Sequence, residues 1–380
     1  MPTEYTVTPY TVSGEIDYDD LLDRFGADEL TDDHRSRFPQ PAHQLVRRDF
    51  FYAGRDLSHF LDAASAGKKL SIVTGRGPSG PMHLGHVLPF YFAKWLQAET
   101  GAHVLIPLSD DEKYFAKELS MDEIHEHTHD NLRDVLAVGF DPERTHIVVD
   151  TADADVIYPL AAEFAGRITQ STVEATYGTP QNIGLSFYPA IQATHLLLPQ
   201  LLYGRHATLV PIAIDQDPHV RICRDIAGKE RYDVEKPASL LGRFLPGLSG
   251  PGKMSSSDVE KAIRLTDNPE TVREKIMTHA YSGGRESVEA HRKHGGDPES
   301  DVAYQLLFAF FEPDDEIVER LAREYRSGEL LSGELKAHAT ERINEFLTGH
   351  QSHRPEGDLQ CALAPYRFTE DERERLVSSL

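Results

Sequence analysis

The chain has 380 residues and a large acidic excess, with 62 Asp and Glu against 39 Lys and Arg and a formal net charge of −23. This length is sufficient for a full hydrophobic core and two domains, and no apolar run in the sequence approaches a membrane span or a signal core. The two cysteines exclude a disulfide framework and a closed cysteine-based zinc site, so we expect a cytoplasmic protein with no membrane association and no structural metal.

The acidic residues are spread along the whole chain, and most of the basic residues are arginine. This distribution is typical of a surface adapted to concentrated salt, where repulsion between like charges is screened within a few Å. The alternative is an ordinary acidic enzyme. Acidic chains normally repel nucleic acid. If the charge is an adaptation to salt, however, it reflects the habitat and does not indicate which partners the protein binds.

The N-terminal residues 1–62 form an extension in which residues 19–25 have a helical pattern. A second amphipathic stretch over 56–66 ends at Gly67, a residue suited to a helix C-terminus.

From Leu70 onwards, short apolar runs alternate with longer helical patterns, and the first two runs are separated by a predicted helix over 84–100 that ends at Gly101. This alternation predicts an α/β fold with a doubly wound parallel sheet over residues 63–264. The predicted buried strands are 70–73, 104–108, 146–149 and 209–214.

After Leu265 the sequence has helical periodicity and no further strand pattern. We expect a compact helical domain over 265–352 and a tail over 353–380. The clearest helical segments are 269–279, 302–311, 315–325 and 333–347. A small core of its own is expected from Phe308, Phe310, Phe311 and Leu321.

A glycine-rich loop, Thr74–Gly80, follows the first predicted strand, and His83, Gly85 and His86 open the next helix. Strand, glycine loop and helix together direct backbone N–H groups and a positive helix N-terminus at phosphate oxygens. The two imidazoles add further donors, and the absence of a Cβ at Gly85 allows an adenosine ring to approach closely.

A second signature, Lys253-Met254-Ser255-Ser256-Ser257, lies on a loop rich in Gly and Ser. Its lysine can reach the same pyrophosphate from the opposite side, where charge develops as the phosphoryl bond breaks. The two signatures together predict a site that holds ATP and promotes attack on its α-phosphate. A general nucleotidylyltransferase would explain the first signature and not the second.

Polar residues also follow two of the predicted strands, where the ligands of a parallel sheet bind. Asp110-Asp111-Glu112-Lys113 is compatible with a Mg²⁺ site or with recognition of an α-ammonium group by Glu112. Gln192 and Gln216 lie near apolar runs, where a glutamine is more often a structural bridge than a ligand contact.

Residues His125–His129 match the H-E-x-x-H pattern of zinc proteases. They open a strongly charged helical stretch, so we interpret them as a solvated helix face and not as a metal site.

Assembled in this order, these segments resemble the archaeal and eukaryotic branch of the tryptophanyl-tRNA synthetases. The resemblance runs from Ile16 to about residue 350. It is carried by Thr74–Ser79, His83–His86, Lys94–Gln97, Asp110–Lys113, Pro189–Gln192, Ala213–Pro218, Arg224-Asp225, Lys253–Ser257, His279–Arg285, Phe310-Phe311 and Gly333–Lys336.

The resemblance implies a Rossmann-type sheet of a class I aminoacyl-tRNA synthetase with a C-terminal α-helical anticodon-binding domain. It implies the partners tRNA(Trp), tryptophan and ATP with Mg²⁺ as substrate, and a homodimer. The residues implied for ATP binding are Thr74, Gly75, Arg76, Ser79, His83, Gly85, His86, Lys253, Met254, Ser255 and Ser256. Those implied for catalysis are His83, His86, Lys253, Ser255 and Ser256. Those implied at the amino-acid site are Val73, Pro107, Glu112, Lys113, Gln192, Asp215 and Gln216.

Two positions depart from this branch, which meets the indole N–H with a Tyr just before the glycine loop and a Gln three residues before the Asp-Asp-Glu-Lys run. This chain has Val73 and Pro107 there, and neither side chain accepts a hydrogen bond. The glycine loop is also one residue shorter before His83.

Because of these departures, an alternative to a tryptophan enzyme stays open. It is a paralogue that activates tyrosine or a tryptophan analogue. A non-catalytic RNA-binding relative is a third hypothesis. The intact Lys253 loop and the two imidazoles argue against it.

Overall fold

A computed structural model describes residues 6–7, 12–13, 17–229, 231–254 and 261–378. Its centre is a seven-stranded sheet with the strand order β3-β4-β9-β8-β5-β6-β7, and two small two-stranded sheets, β1-β2 and β10-β11, accompany it. The strands are β1 (Thr6–Val7), β2 (Val12–Ser13), β3 (Asp28–Glu29), β4 (Phe51–Arg55), β5 (Leu70–Val73), β6 (His103–Leu108), β7 (Thr145–Val149), β8 (Ala207–Ala213), β9 (Ala238–Gly242), β10 (Pro246–Gly247) and β11 (Gly250–Lys253).

The expected doubly wound sheet is confirmed. Strands β9, β8, β5, β6 and β7 run parallel, and β4 and β3 add an antiparallel edge. All four predicted strands are present, and β5 has the predicted bounds. Strand β4 lies within the predicted N-terminal extension and, like β9, was not predicted, because its Phe-Tyr-Ala-Gly-Arg sequence has no clear alternation and its strand conformation depends on pairing with the rest of the sheet.

Helices cover both faces of the sheet and make up the C-terminal part of the chain. None of those in the described ranges is long and apolar enough to cross a membrane. The helices are α1 (Tyr18–Phe25), α2 (Asp32–Arg37), α3 (Gln44–Arg47), α4 (Leu57–Ser65), α5 (Leu84–Thr100), α6 (Asp110–Ala116), α7 (Met121–Val138), α8 (Ala154–Ala165), α9 (Gln170–Tyr177), α10 (Ile183–Tyr203), α11 (Asp217–Ala227), α12 (Pro269–His279), α13 (Val288–His294), α14 (Val302–Leu306), α15 (Asp315–Ser327), α16 (Ser332–Ser352), α17 (Leu359–Leu363) and α18 (Glu370–Ser378).

Alternate side chains of each central strand point to opposite faces of the sheet. In β5, Leu70 and Ile72 pack in a core with α4, α5 and α7, whereas Val73 packs in a second core with α8, α10, α11 and α18. In β6, Ile106 belongs to the first core and Leu105 to the second. The side chains at the ends of these strands therefore lie beneath α10 and α11.

The prediction of a separate core for the helical part is wrong. Phe311 and Leu321 are buried in the same cluster as Phe51 of the sheet, and Phe310 packs 5.9 Å from Tyr91 of α5. Phe308 is 37 % exposed. Where α14 continues as a π-helix over Leu307–Phe311, Phe310 packs against Tyr91 of α5 and Phe346 of α16, so this segment joins the core around α5 and forms no core of its own.

Two arginines at the C-terminal end of α3 connect the N-terminal part to the helical part. Arg47 and Arg48 each donate to a different carboxylate oxygen of Asp315, both at 2.6 Å. Arg48 also donates to the carbonyl oxygens of Phe308 (2.9 Å) and Glu312 (2.7 Å), so it satisfies the exposed carbonyls at the end of the π-helix.

The segment after α16 packs on the sheet-bearing part of the chain. Arg354 donates to Asp134 of α7 at 2.7 Å. Further on, Arg367 donates at 2.6 Å to Asp153, which is buried at the start of α8, and Arg373 donates to the same oxygen. The other carboxylate oxygen of Asp153 accepts the Val149 N–H at 2.9 Å.

We predict that Asp153→Ala lowers the free energy of unfolding by about 3–5 kcal/mol, because it leaves two arginines without their buried counter-charge. Urea unfolding in molar KCl measures the change. Asp155→Ala is the matched control: this residue is 62 % exposed and also pairs with Arg373, and its loss should cost about 1 kcal/mol or less. Equal losses for the two variants would contradict the role given to Asp153.

Candidate active site

The glycine loop continues from β5 alongside β6. The Arg76 N–H donates to the Pro107 carbonyl at 2.9 Å, and the Ser109 N–H donates to the Arg76 carbonyl at 2.9 Å. A Cβ on Gly75 would lie 2.4 Å from the Pro107 carbonyl oxygen and 2.6 Å from its Cγ. Only glycine fits at this point, because the atoms it meets are backbone and a rigid ring.

Arg76 is held in place by helix α7. Its guanidinium donates to the Asn131 side-chain oxygen and, at 3.2 Å, to the Gly80 carbonyl, which also accepts from the Asn131 amide at 3.0 Å. Burial lowers the pKa of Arg76 to about 10, so the guanidinium stays charged at neutral pH. The loop therefore carries a fixed positive charge supported by a buried amide.

Helix α5 begins with two stacked imidazoles, His83 and His86, whose ring centroids are 3.4 Å apart. Each ring accepts a backbone N–H through Nδ1: His83 from Gly85 at 3.1 Å, and His86 from His83 at 3.2 Å. With Nδ1 occupied as an acceptor, the neutral ring carries its proton on Nε2 and presents a donor. A Cβ on Gly85 would lie 3.1 Å from the His83 ring, so glycine also lets this imidazole fold over the helix start.

The segments around the Lys253–Ser257 loop are tied to the start of α5. Met254 is buried. After the loop, Ile263 accepts the Leu84 N–H and Leu265 donates to Met82, both at 3.0 Å. This short antiparallel bridge joins the chain after the second signature to the residues of the first, and so explains how two distant segments reach one site.

Glu112 and Lys113 begin α6 directly after β6 and form an ion pair. A Cβ on Gly77 would lie 1.9 Å from the Lys113 Cε, so the lysine packs directly over the glycine loop. Glu112 is buried beside this lysine, and the charged Arg76 also interacts with it. A buried carboxylate is stabilised by positive partners. The pair can therefore bind an ammonium group beside the phosphate loop.

Behind Glu112 lies a buried carboxylate cluster made of Asp110, Asp111 and Asp150, with oxygens within 4.8 Å of one another. Asp111 accepts from the Tyr158 hydroxyl at 2.9 Å, and Asp150 lies 2.7 Å from the His195 Nε2. Burial and the neighbouring Asp150 raise the pKa of Asp111 to about 8, and burial raises that of Asp150 well above its usual range. The Asp111 carboxyl therefore keeps its proton at neutral pH.

One cavity of about 770 Å³ opens at the carboxyl ends of β5, β6 and β8. It collects the predicted residues whose side chains the structure describes: Val73, Thr74, Gly75, Arg76, Ser79, His83, Gly85, His86, Pro107, Glu112, Lys113, Gln192, Asp215, Gln216 and Met254. The Lys253 side chain and both Ser255 and Ser256 lie outside the described residues.

Comparisons with known proteins agree with this geometry. The family model for class I tRNA synthetases (W and Y) matches residues 65–348. The chain is 61 % identical to tryptophan–tRNA ligase 2 of Halobacterium salinarum, over 97 % of this chain and 96 % of that one. It is 43 % identical to the tryptophan–tRNA ligase of Saccharolobus solfataricus, over 94 % of each chain. The solved tryptophanyl-tRNA synthetase of Plasmodium falciparum matches with a TM-score of 0.85 and 34 % identity, over 95 % of this chain and 99 % of that one.

The chain belongs to the tryptophanyl-tRNA synthetase family. The expected fold and enzyme class are therefore confirmed, and the Halobacterium relative supports the interpretation of the acidic surface as an adaptation to salt. The alternative of a paralogue for tyrosine or a tryptophan analogue is not favoured, because these relatives are tryptophan–tRNA ligases. His125 and His129 are exposed on α7, as expected for a solvated face.

Several cavity residues of this synthetase were not predicted from the sequence. Tyr177, Tyr188 and His219 line the cavity from α9, α10 and α11, and Asn131 supports the glycine loop from outside it. A single tyrosine or histidine on an apolar helix carries no pattern in the sequence. What identifies these residues is that they are buried next to an open cavity, and only the tertiary structure shows this.

We predict that Asp111→Asn changes the pH dependence of stability. Native Asp111 keeps a proton up to about pH 8, whereas the unfolded residue ionises near its ordinary pKa of 3.8. Between these values the native state binds more protons, so the wild-type free energy of unfolding loses up to about 1.4 kcal/mol per pH unit through this group as pH rises.

The Asn variant lacks that loss, so its stability relative to wild type should rise from pH 5 to pH 8 and then level off. Urea unfolding at a series of pH values measures the difference. Asp122→Asn, which removes an exposed carboxylate on α7, serves as the control. A flat difference for Asp111→Asn would contradict the protonated Asp111 carboxyl.

Proposed function

We propose that this chain activates tryptophan with ATP, supplied as its Mg²⁺ complex, and transfers the tryptophanyl group to tRNA(Trp) in the cytoplasm. In the first step a carboxylate oxygen of tryptophan attacks the α-phosphorus and pyrophosphate leaves. In the second step a hydroxyl of the tRNA 3′ end displaces AMP. The observation that carries this proposal is the cavity that brings together the glycine loop, both imidazoles, Glu112 and Gln192.

We assign the phosphate side of the cavity to Thr74, Gly75, Arg76, Ser79 and the helix start at His83–His86. Asn131 holds the Arg76 charge in place, and both imidazoles are fixed at the start of α5 beside the cavity, so this side needs little reorganisation as charge develops. In this proposal Lys253, Ser255 and Ser256 complete the transition-state contacts to the leaving pyrophosphate, and Met254 anchors their loop through its buried side chain.

We assign the tryptophan backbone to Glu112, Gln192 and Gln216. Glu112 would exchange part of its contact with Lys113 for the substrate ammonium. Gln192 is fixed by a hydrogen bond from its amide to the Tyr188 hydroxyl, which leaves its amide oxygen as an acceptor. Asp215 is buried directly before Gln216 and belongs to the same short helical turn.

For the larger organisation, we propose that residues 63–264 carry out the chemistry and that 265–352 read the anticodon, with residues 17–62 and 353–378 packed against them. We further propose a homodimer. A patch beside the cavity wall supports it: Ile183 is 87 % exposed and Tyr114 is 49 % exposed, and the Asn182–Phe115 hydrogen bond joins their two helices.

Amino-acid-dependent ATP–pyrophosphate exchange in molar KCl tests the function. We expect tryptophan, among all the proteinogenic amino acids, to support rapid exchange, because the cavity would bind its carboxylate against the α-phosphate. Exchange with tyrosine and not with tryptophan would overturn the substrate, and no exchange with any amino acid would overturn the synthetase activity.

Lys253→Ala tests the transition-state role of the second signature. We expect the rate of tryptophan activation to fall by about 100-fold or more, with a change in ATP affinity of less than about tenfold, because the lysine acts on charge that develops as pyrophosphate leaves. Single-turnover adenylate formation and ATP titration measure the two quantities. Lys229→Ala, which removes an exposed lysine away from the cavity, is the control. Equal losses in both quantities would contradict the assigned role.

A further inference from the structure

Tryptophan differs from other aromatic amino acids in its indole N–H, and leaving such a donor unpaired in a buried pocket is costly. The ends of strands β5 and β6 carry Val73 and Pro107, whose side chains have no hydrogen-bond acceptor. Both line the cavity, and Val73 belongs to the core beneath α10 and α11. Other acceptors for the indole are available on the helices that cover this side of the sheet.

Helix α11 places a histidine at that position. His219 lies in its first turn, is 6 % exposed and lines the cavity together with Tyr177 and Tyr188. The start of the helix is fixed because Asp217 is fully buried and accepts two hydrogen bonds from Arg55, both at 2.8 Å. The imidazole is thus carried by a rigid part of the fold.

The ring of His219 is held from two sides. The Tyr177 hydroxyl lies 2.8 Å from its Nδ1. The Tyr188 ring packs against it edge-to-face, with centroids 5.8 Å apart and an interplanar angle of 89°. Among the residues that the structure describes, Tyr177 is the hydrogen-bond partner of this imidazole, and it engages one nitrogen.

His219 is neutral at any working pH, because burial and then the nearby Lys113 and His195 lower its pKa to about 3. A neutral imidazole has one donor and one acceptor nitrogen, and a cationic ring has no acceptor. When Nδ1–H donates to the Tyr177 oxygen, Nε2 keeps its lone pair. Tyr177 can therefore set the ring in the form that accepts a hydrogen bond.

Two other polar side chains on this side already have roles or partners. The Tyr188 hydroxyl accepts from the Gln192 amide and interacts with Ser109. Gln192 is assigned to the amino-acid backbone. We propose that His219, oriented by Tyr177, accepts the indole N–H of tryptophan and replaces the two acceptors that Val73 and Pro107 lack. This inference rests on the proposed function and identifies a specificity-determining residue within it.

The test compares tryptophan with benzothienylalanine, in which sulfur replaces the indole N–H, as substrates in pyrophosphate exchange. The measured quantity is the ratio of their kcat/KM values. We expect wild type to prefer tryptophan by about 10- to 100-fold, because the analogue leaves the acceptor unpaired. His219→Leu should bring this ratio close to one by lowering kcat/KM for tryptophan, while the KM for ATP stays unchanged.

Three further variants sharpen the result. His219→Gln restores an acceptor and should recover part of the preference. Tyr177→Phe keeps the ring volume but releases the imidazole, and should reduce the ratio several-fold; it also tests the inference if His219→Leu fails to fold. His206→Leu is the matched control, since this buried histidine near the opposite end of β8 bonds Ser71 and does not line the cavity.

A His219→Leu enzyme that keeps the wild-type ratio would overturn the inference, as would a Tyr188→Phe enzyme that loses the ratio while His219→Leu retains it. A wild-type enzyme with no preference between the two substrates would also overturn it. These outcomes all require tryptophan-dependent exchange in the wild type. Its absence would instead overturn the proposed function, so the two failures are distinguishable.

Discussion

The site depends on the close contact between the glycine loop and strand β6. The Arg76 N–H and carbonyl pair with Pro107 and Ser109, and the absence of a Cβ at Gly75 allows that approach. Because the loop is fixed to the sheet in this way, Lys113 can pack over Gly77 while it pairs with Glu112. A displacement of this contact would move the glycine loop and the Glu112–Lys113 pair together, since they share the same two strand ends.

A second constraint is that charged groups in the interior must be neutralised or paired. The chain has a net charge of −23, yet the groups buried around the cavity are kept neutral or paired. Asp111 keeps its proton at neutral pH, burial raises the pKa of the neighbouring Asp150, and His219 is uncharged. Concentrated salt screens the acidic surface but does not reach such buried groups. The acidic surface is therefore suited to a concentrated salt solution. The buried groups around the cavity stay neutral or paired, as nucleotide chemistry requires.

The parts of the chain are linked more closely than their order in the sequence suggests. The bridge between residues 82–84 and 263–265 joins the two signatures, and Arg48 together with Asp315 joins the N-terminal part to the helical part. The aromatic residues predicted to form their own core instead complete the core around α5. A continuous core of this kind gives the helical part and the catalytic sheet a shared stability.

The sequence by itself determined four of the five parallel strands and the two signatures, because apolar runs and glycine-rich loops act through short stretches of chain. The same local patterns identified the cavity residues from Thr74 to His86, whereas the enzyme class and the places of Gln192 and Gln216 in the site came from the resemblance to the synthetase family. The tertiary structure alone decided the pairing of β4 and β9, the support of Arg76 by Asn131 and the entry of His219 into the cavity. These features depend on contacts between residues far apart in the chain. A single buried side chain produces no periodic pattern, so it cannot be predicted from the sequence.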